Sequence, residues 1–182
     1  MLTVTRDVQA QPGPRHADPV GVARETAART QWRMTSESIR EDLSGVVRTR
    51  AFWSGPATPV IVPQAHRAVA GFAAAGGLSG VRLVDIRTCV SEAVTNSVLH
   101  AFRDGRTDGV IMVSAQFTRA ALLVTVADDG IGFLPRSDSP GLGLGLAIIH
   151  MLSDAMTIAD RARGGTEVSI AFNLVNPDLS TV

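Results

Sequence analysis

Apolar and polar residues alternate with two different periods along this chain, and the switches between them outline its elements. VIMVSAQF (110–117) and ALLVTVAD (121–128) alternate every second residue, as half-buried strands do, and the Thr-Arg-Ala link between them predicts an antiparallel hairpin. VVRTRAFW (46–53) alternates in part and runs into Ser54-Gly55-Pro56, which reads as a strand followed by a turn. PQAHRAVAGFAAAGG (63–77) predicts a helix opened by Pro63, whose missing N–H costs nothing in a first turn, and stopped at Gly76-Gly77. RLVDIRTCVSEAVTNSVLHAF (82–102) predicts a second, longer helix. LAIIHMLSDA (146–155) reads as a third, and MTIAD with TEVSIAFNL as two closing strands joined by RARGG.

The first part of the chain differs. QPGPRHADP (11–19) holds three prolines and a glycine among polar residues and predicts no element. Asp18-Pro19 suits the start of a helix through VARETAARTQWRM (22–34), though its apolar stripe is poor. The expected organisation is an extension over 1–45, one domain over 46–175 and a short tail over 176–182. Helices crossing between strands that pair locally predict an α/β fold. The expected form is a two-layer sandwich whose mixed, mostly antiparallel sheet carries helices on one face.

Composition changes this picture at few points. All 17 basic side chains are arginine, matched by 17 acids, so net charge indicates neither direct nucleic-acid binding nor a polyanionic tail. The absence of lysine excludes a Walker A loop and a eukaryotic-type protein kinase, both of which need one at the phosphates. Cys89 is alone and reads as a small buried apolar residue, with no zinc-ligand spacing around it. Without a leader-like start or a membrane-length apolar run, the expectation is a cytoplasmic protein with no membrane partner.

Three stretches carry candidate chemistry. In SEAVTNSVLHAF, Glu92, Asn96 and His100 recur every four residues and span an arc of roughly 80° on a helix. Leu83, Ile86, Val90, Val94, Ser97 and Ala101 lie opposite, facing the expected core. Taken alone the triplet reads first as a solvated face, and second as a site in which a carboxylate orients a nucleophile beside a carboxamide that ligates Mg²⁺; spacing does not separate the two. In ADDGIGF (127–133), Asp128 ends a strand, where it can accept from a heterocycle's amino group, and Gly130 and Gly132 leave room for a ring; a plain Asp-Gly turn is the rival reading. In GLGLGLAII (141–149), alternating glycines ahead of a helix suit phosphate binding at its N-terminus, against a plain hinge. A dinucleotide fingerprint fails there, because its third glycine position falls on Leu146 or Ile148.

Taken in order, with Gly-Thr before the last strand, these motifs resemble the GHKL ATP-binding superfamily of gyrase B subunits, MutL and histidine kinases. EAVTNSVLHAF most resembles the anti-sigma factor serine kinases of bacteria, over about residues 46–173. The resemblance implies the Bergerat-type fold, with ATP and Mg²⁺ as ligands. It also implies Glu92 as general base, Asn96 as the Mg²⁺ ligand and Asp128 as the adenine reader. Gly130 and Gly132 would make room for the ring, and Thr166 would support the adenine end. Gly141, Leu142, Gly143, Leu144, Gly145 and Leu146 match the phosphate-binding turn. His100 matches a histidine frequent in the anti-sigma branch and is placed with the nucleotide-binding residues. Arg136, between the two glycine motifs, is the candidate to stabilise transferred charge.

The implied activity is phosphorylation of a serine or threonine on an anti-anti-sigma (STAS-domain) partner, with sequestration of a sigma factor and homodimerisation as further family traits. Two alternatives stay open: a nucleotide-binding regulator with little kinase activity, and a detached ATPase domain of a histidine kinase. Against the latter, His66 is the one tempting phosphoacceptor, and it falls in a short helix inside the ATP-binding domain.

Overall fold

The computed structural model describes residues 32–40, 47–132 and 142–174. Its elements are β1 (Arg33–Arg40), β2 (Val47–Pro56), α1 (Ile61–Ala75), α2 (Gly80–His100), β3 (Val110–Phe117), β4 (Ala121–Asp128), α3 (Leu142–Leu152), β5 (Ala155–Asp160) and β6 (Thr166–Asn173). The strands form one sheet in the order β1-β2-β3-β4-β6-β5. The expected two-layer sandwich is present. Every described pairing is antiparallel, so the parallel component of the expected mixed sheet does not occur among the described strands.

Strand parity builds the inner layer. On β4 every second residue, Leu122, Val124 and Val126, is buried, and these lie opposite Phe172, Ile170 and Val168 of β6. Ile111, Val113 and Ala115 of β3 extend the same layer. α2 covers it with Ile86, Val90, Ala93 and Val94, and α1 adds Ile61, Ala65, Val69 and Ala73. Removing the valine, leucine, isoleucine and phenylalanine side chains among them from water supplies about 1.5–3 kcal/mol each and orients both helices on the sheet. Cys89 is fully buried, and burial first, then Asp85, pushes its thiol up to about 12. It therefore packs as a small apolar group, as expected. Among the described residues no helix is long and apolar enough to cross a membrane.

The expected hairpin joins β3 and β4, closed by Thr118, whose Oγ1 accepts from the Ala121 amide at 2.9 Å. α1 stops where expected, with Gly77 at φ 95°. Three readings are corrected. The helix expected from Asp18 lies mostly outside the described residues, and its last two positions, Arg33 and Met34, open β1 instead. RMTSESIR lacks apolar alternation because β1 is an edge strand, held by its backbone ladder to β2. Ser54-Gly55-Pro56 is the end of β2 and not a turn: the three residues pair with Met112, Ile111 and Val110. Gly55 fits closely there: a Cβ would stand 3.1 Å from the Trp32 ring and 3.2 Å from Ile61, so a side chain would require both to shift slightly. Finally, α3 begins at Leu142 and not at Leu146.

Candidate functional site

Asp128 is the next inward position of β4 after Leu122, Val124 and Val126, so strand parity sends its carboxylate into the helix layer where the apolar row ends. Ser97 continues the buried stripe of α2 in the same way. The polar ends of the two stripes meet: Ser97 Oγ donates to Asp128 Oδ2 at 3.0 Å, with both residues buried. Asp128 Oδ1 accepts from the amides of Gly130 at 3.1 Å and Thr166 at 3.0 Å. The carboxylate therefore staples the start of β6 and the following turn to the end of β4.

A second face of α2 meets α3, which crosses it in the opposite direction. Arg82 at the start of α2 pairs with Asp154 beyond the end of α3 at 2.9 Å, and Asp154 also accepts from the Asn173 amide. Cys89 lies against the Ile149 carbonyl. One more turn along, Gly145 packs directly on the candidate pair. A Cβ on Gly145 would stand 2.8 Å from Glu92 Oε2 and 3.2–3.3 Å from the two ends of the Asn96 amide. Any larger residue at 145 would have to push the ends of Glu92 and Asn96 aside. We expect Gly145→Val to cost about 1–3 kcal/mol through overpacking, read as a lower thermal midpoint. The control Gly71→Ala, with nothing within 4 Å, should instead stabilise by about 0.5–1 kcal/mol.

Asn96 carries the clearest sign of an incomplete site. Its Nδ2 is buried and has no hydrogen-bond partner, the sole such side-chain atom among the described residues. A buried orphan of this kind costs about 1–3 kcal/mol. The two ends of a carboxamide have nearly the same shape, so the oxygen can take that place. Among the described residues no three His, Cys, Asp or Glu side chains gather tightly enough to hold a metal alone. A single carboxamide oxygen instead suits Mg²⁺, which binds through one or two protein oxygens and completes its shell with water and phosphate oxygens.

The remaining candidates fall as follows. The space at Gly130 is filled by the Ala101 carbonyl, and that at Gly132 by Asp160 Oδ1 at 3.0 Å. Gly130 therefore serves close backbone approach where room for a ring was expected, while Gly132, at φ 89°, faces the end of the Asp160 side chain. Ile131 N donates to the Ala101 carbonyl at 2.9 Å, tying this turn to the end of α2. Leu142, Gly143, Leu144, Gly145 and Leu146 are helical, not a turn ahead of the helix; Leu144 is exposed and Leu146 packs on the core. Arg136 and Gly141 lie outside the described residues. His100, the last residue of α2, is hydrogen-bonded to Arg103; partial burial, then Arg103, lowers its pKa. Thr166 meets Asp128 through its backbone amide. Sequence reasoning assigned Ser97 to the core, although a hydroxyl in an apolar stripe was the available signal. Gly165 was not singled out either: at φ 90° it lies where an added Cβ would clash with the Asp128 carbonyl.

Residues 55–172 match the family described as histidine kinase-like ATPase domain. The chain is 30% identical over 125 residues to the anti-sigma F factor of Clostridium beijerinckii, covering 62% of this chain and 87% of that protein. It is 29% identical over 115 residues to the anti-sigma F factor of Clostridium novyi, covering 57% and 80% of the two chains. The anti-sigma F factor of Bacillus thuringiensis is 29% identical over 105 residues, with 52% and 71% covered.

Proposed function

The chain belongs to the histidine kinase-like ATPase domain family, and from that premise we propose that it is an ATP-dependent anti-sigma factor serine/threonine kinase. In this reading it phosphorylates an anti-anti-sigma (STAS-domain) protein, sequesters a sigma factor and works as a homodimer. The observation that carries the reading is the convergence on α2: Glu92 and Asn96 lie under Gly145, and the neighbouring Ser97 holds Asp128. Three motifs far apart in the chain thereby come into contact with one helix. The similarity to proteins named anti-sigma F factor supports the choice within the family.

Each residue has a distinct task. Asp128 offers an acceptor oxygen to the amino group of adenine at the buried end of the pocket. Asn96 would hold Mg²⁺, which when bound neutralises phosphate charge. Glu92 takes the proton from a serine or threonine hydroxyl as that oxygen bonds to the γ-phosphorus and the bond to the β-bridging oxygen breaks. Such transfer depends mainly on positioning and charge neutralisation, so a site with no covalent nucleophile is sufficient. Arg136 remains our candidate for the transferred charge. His66 is a poor phosphoacceptor for the histidine-kinase alternative. It sits half-buried in α1 within the domain itself, its pKa lowered by burial and by Arg67 and Arg87.

The test is transfer of radiolabelled γ-phosphate from Mg-ATP to purified STAS proteins. Labelling on serine or threonine is expected. Tight Mg-ATP binding with no transfer to any of them would assign the chain to a nucleotide-binding regulator.

A further inference from the structure

Two arginines outside the sequence motifs converge on the turn that follows β4. Arg161, the first residue after β5, donates from Nη1 to the Asp128 carbonyl at 2.7 Å. Arg106, in the loop between α2 and β3, donates from Nη1 to the Asp129 carbonyl at 3.1 Å and pairs with Asp129 Oδ2 at 3.0 Å. These consecutive carbonyls lie where the ladders run out, at the pairs Ile111↔Asp128 and Ala127↔Glu167. The guanidinium donors thus satisfy two carbonyls at the point where the sheet ladders end, and help to fix the peptide planes that carry the Asp128 side chain.

Each arginine is itself held in place. Arg106 bonds through Nε to Asp108 at 3.2 Å and lies over the Phe102 ring, 5.6 Å from its centroid. Asp129 Oδ1 accepts from the Val110 amide at 2.8 Å, so this corner joins the loop, β3 and the turn. Arg161 is part-buried, its amide donates to the Gly165 carbonyl at 2.9 Å, and its Nη2 reaches Met112 Sδ at 3.9 Å. The planar fork of arginine can serve a carbonyl and a second acceptor together, which one ammonium does less well.

We propose that Arg106 and Arg161 are positioning residues of the base pocket. By holding the carbonyls of Asp128 and Asp129 they fix the direction in which the Asp128 carboxylate meets the amino group of adenine. The proposal rests on Asp128 as base reader and assigns the accuracy of that reading to two loops that do not touch the base.

The test compares calorimetric binding of Mg-ATP with that of purine riboside triphosphate, which lacks the 6-amino group. The parent should prefer ATP. Arg161→Ala should weaken ATP by about tenfold and leave the unsubstituted purine unchanged, and Arg161→Lys should restore part of the preference. Arg106→Ala, at a more exposed pair, should lose about threefold. A purely structural role would lower both ligands together with the thermal midpoint. If both alanine variants keep the parent's ratio, the proposal is overturned. A parent with no preference for ATP would sink the base-reading assignment itself, a different and separable result.

Discussion

Asp128→Asn is expected to weaken Mg-ATP binding by about 30- to 100-fold, measured by titration calorimetry. An ionised carboxylate has about four acceptor positions. The amides of Gly130 and Thr166 take two on Oδ1 and Ser97 takes one on Oδ2, which leaves one on Oδ2 for a ligand's amino group. Asparagine has the same shape but carries NH₂ at one end. With that end toward Gly130 and Thr166, it opposes two N–H groups; with the other orientation, it opposes the amino group of adenine. Either arrangement leaves buried donors facing donors, at about 1–3 kcal/mol for each unsatisfied group. Binding as tight as the parent's would show that the base is read elsewhere.

Glu92→Gln is expected to reduce phosphotransfer by about 10²- to 10⁴-fold, the usual worth of a positioned general base. Mg-ATP affinity should change by less than about threefold. Glutamine preserves the shape on which Gly145 seats, so α3 keeps its place, while the amide cannot take up the hydroxyl proton. The pair of measurements separates chemistry from binding. Should transfer persist at the parental rate, another group is the base; should binding collapse with it, Glu92 acts chiefly on the ligand.

The parts of this architecture legible in the chain are those in which one face is apolar and the other is not. Leu122, Val124 and Val126 announce β4, and the same parity carries Asp128 inward. The stripe from Ile86 to Val94 announces α2 in the same way. β1 escaped because an edge strand of mixed polar residues is held by backbone pairing that leaves no periodic trace. The start of α3 escaped for a different reason. Glycine disfavours a helix interior by about 1 kcal/mol, so GLGLG reads as loop until Gly145 is seen lying against Glu92 and Asn96. Ser97, Arg161 and Arg106 reach the Asp128 turn across 31, 33 and 23 positions of chain, separations at which no local pattern operates.

Asn96 and Ser97 are consecutive residues, about 100° apart around α2. One faces α3 and the other holds Asp128. On the proposed assignment, the two ends of the nucleotide are therefore measured against a single rigid rod, with no hinge between them. Core packing sets the azimuth of that rod, so the place where the base is held and the place where Glu92 and Asn96 stand are fixed together. A triphosphate with the wrong base would be penalised twice, by a shorter dwell and by misaligned phosphates, so selectivity in turnover should exceed selectivity in affinity.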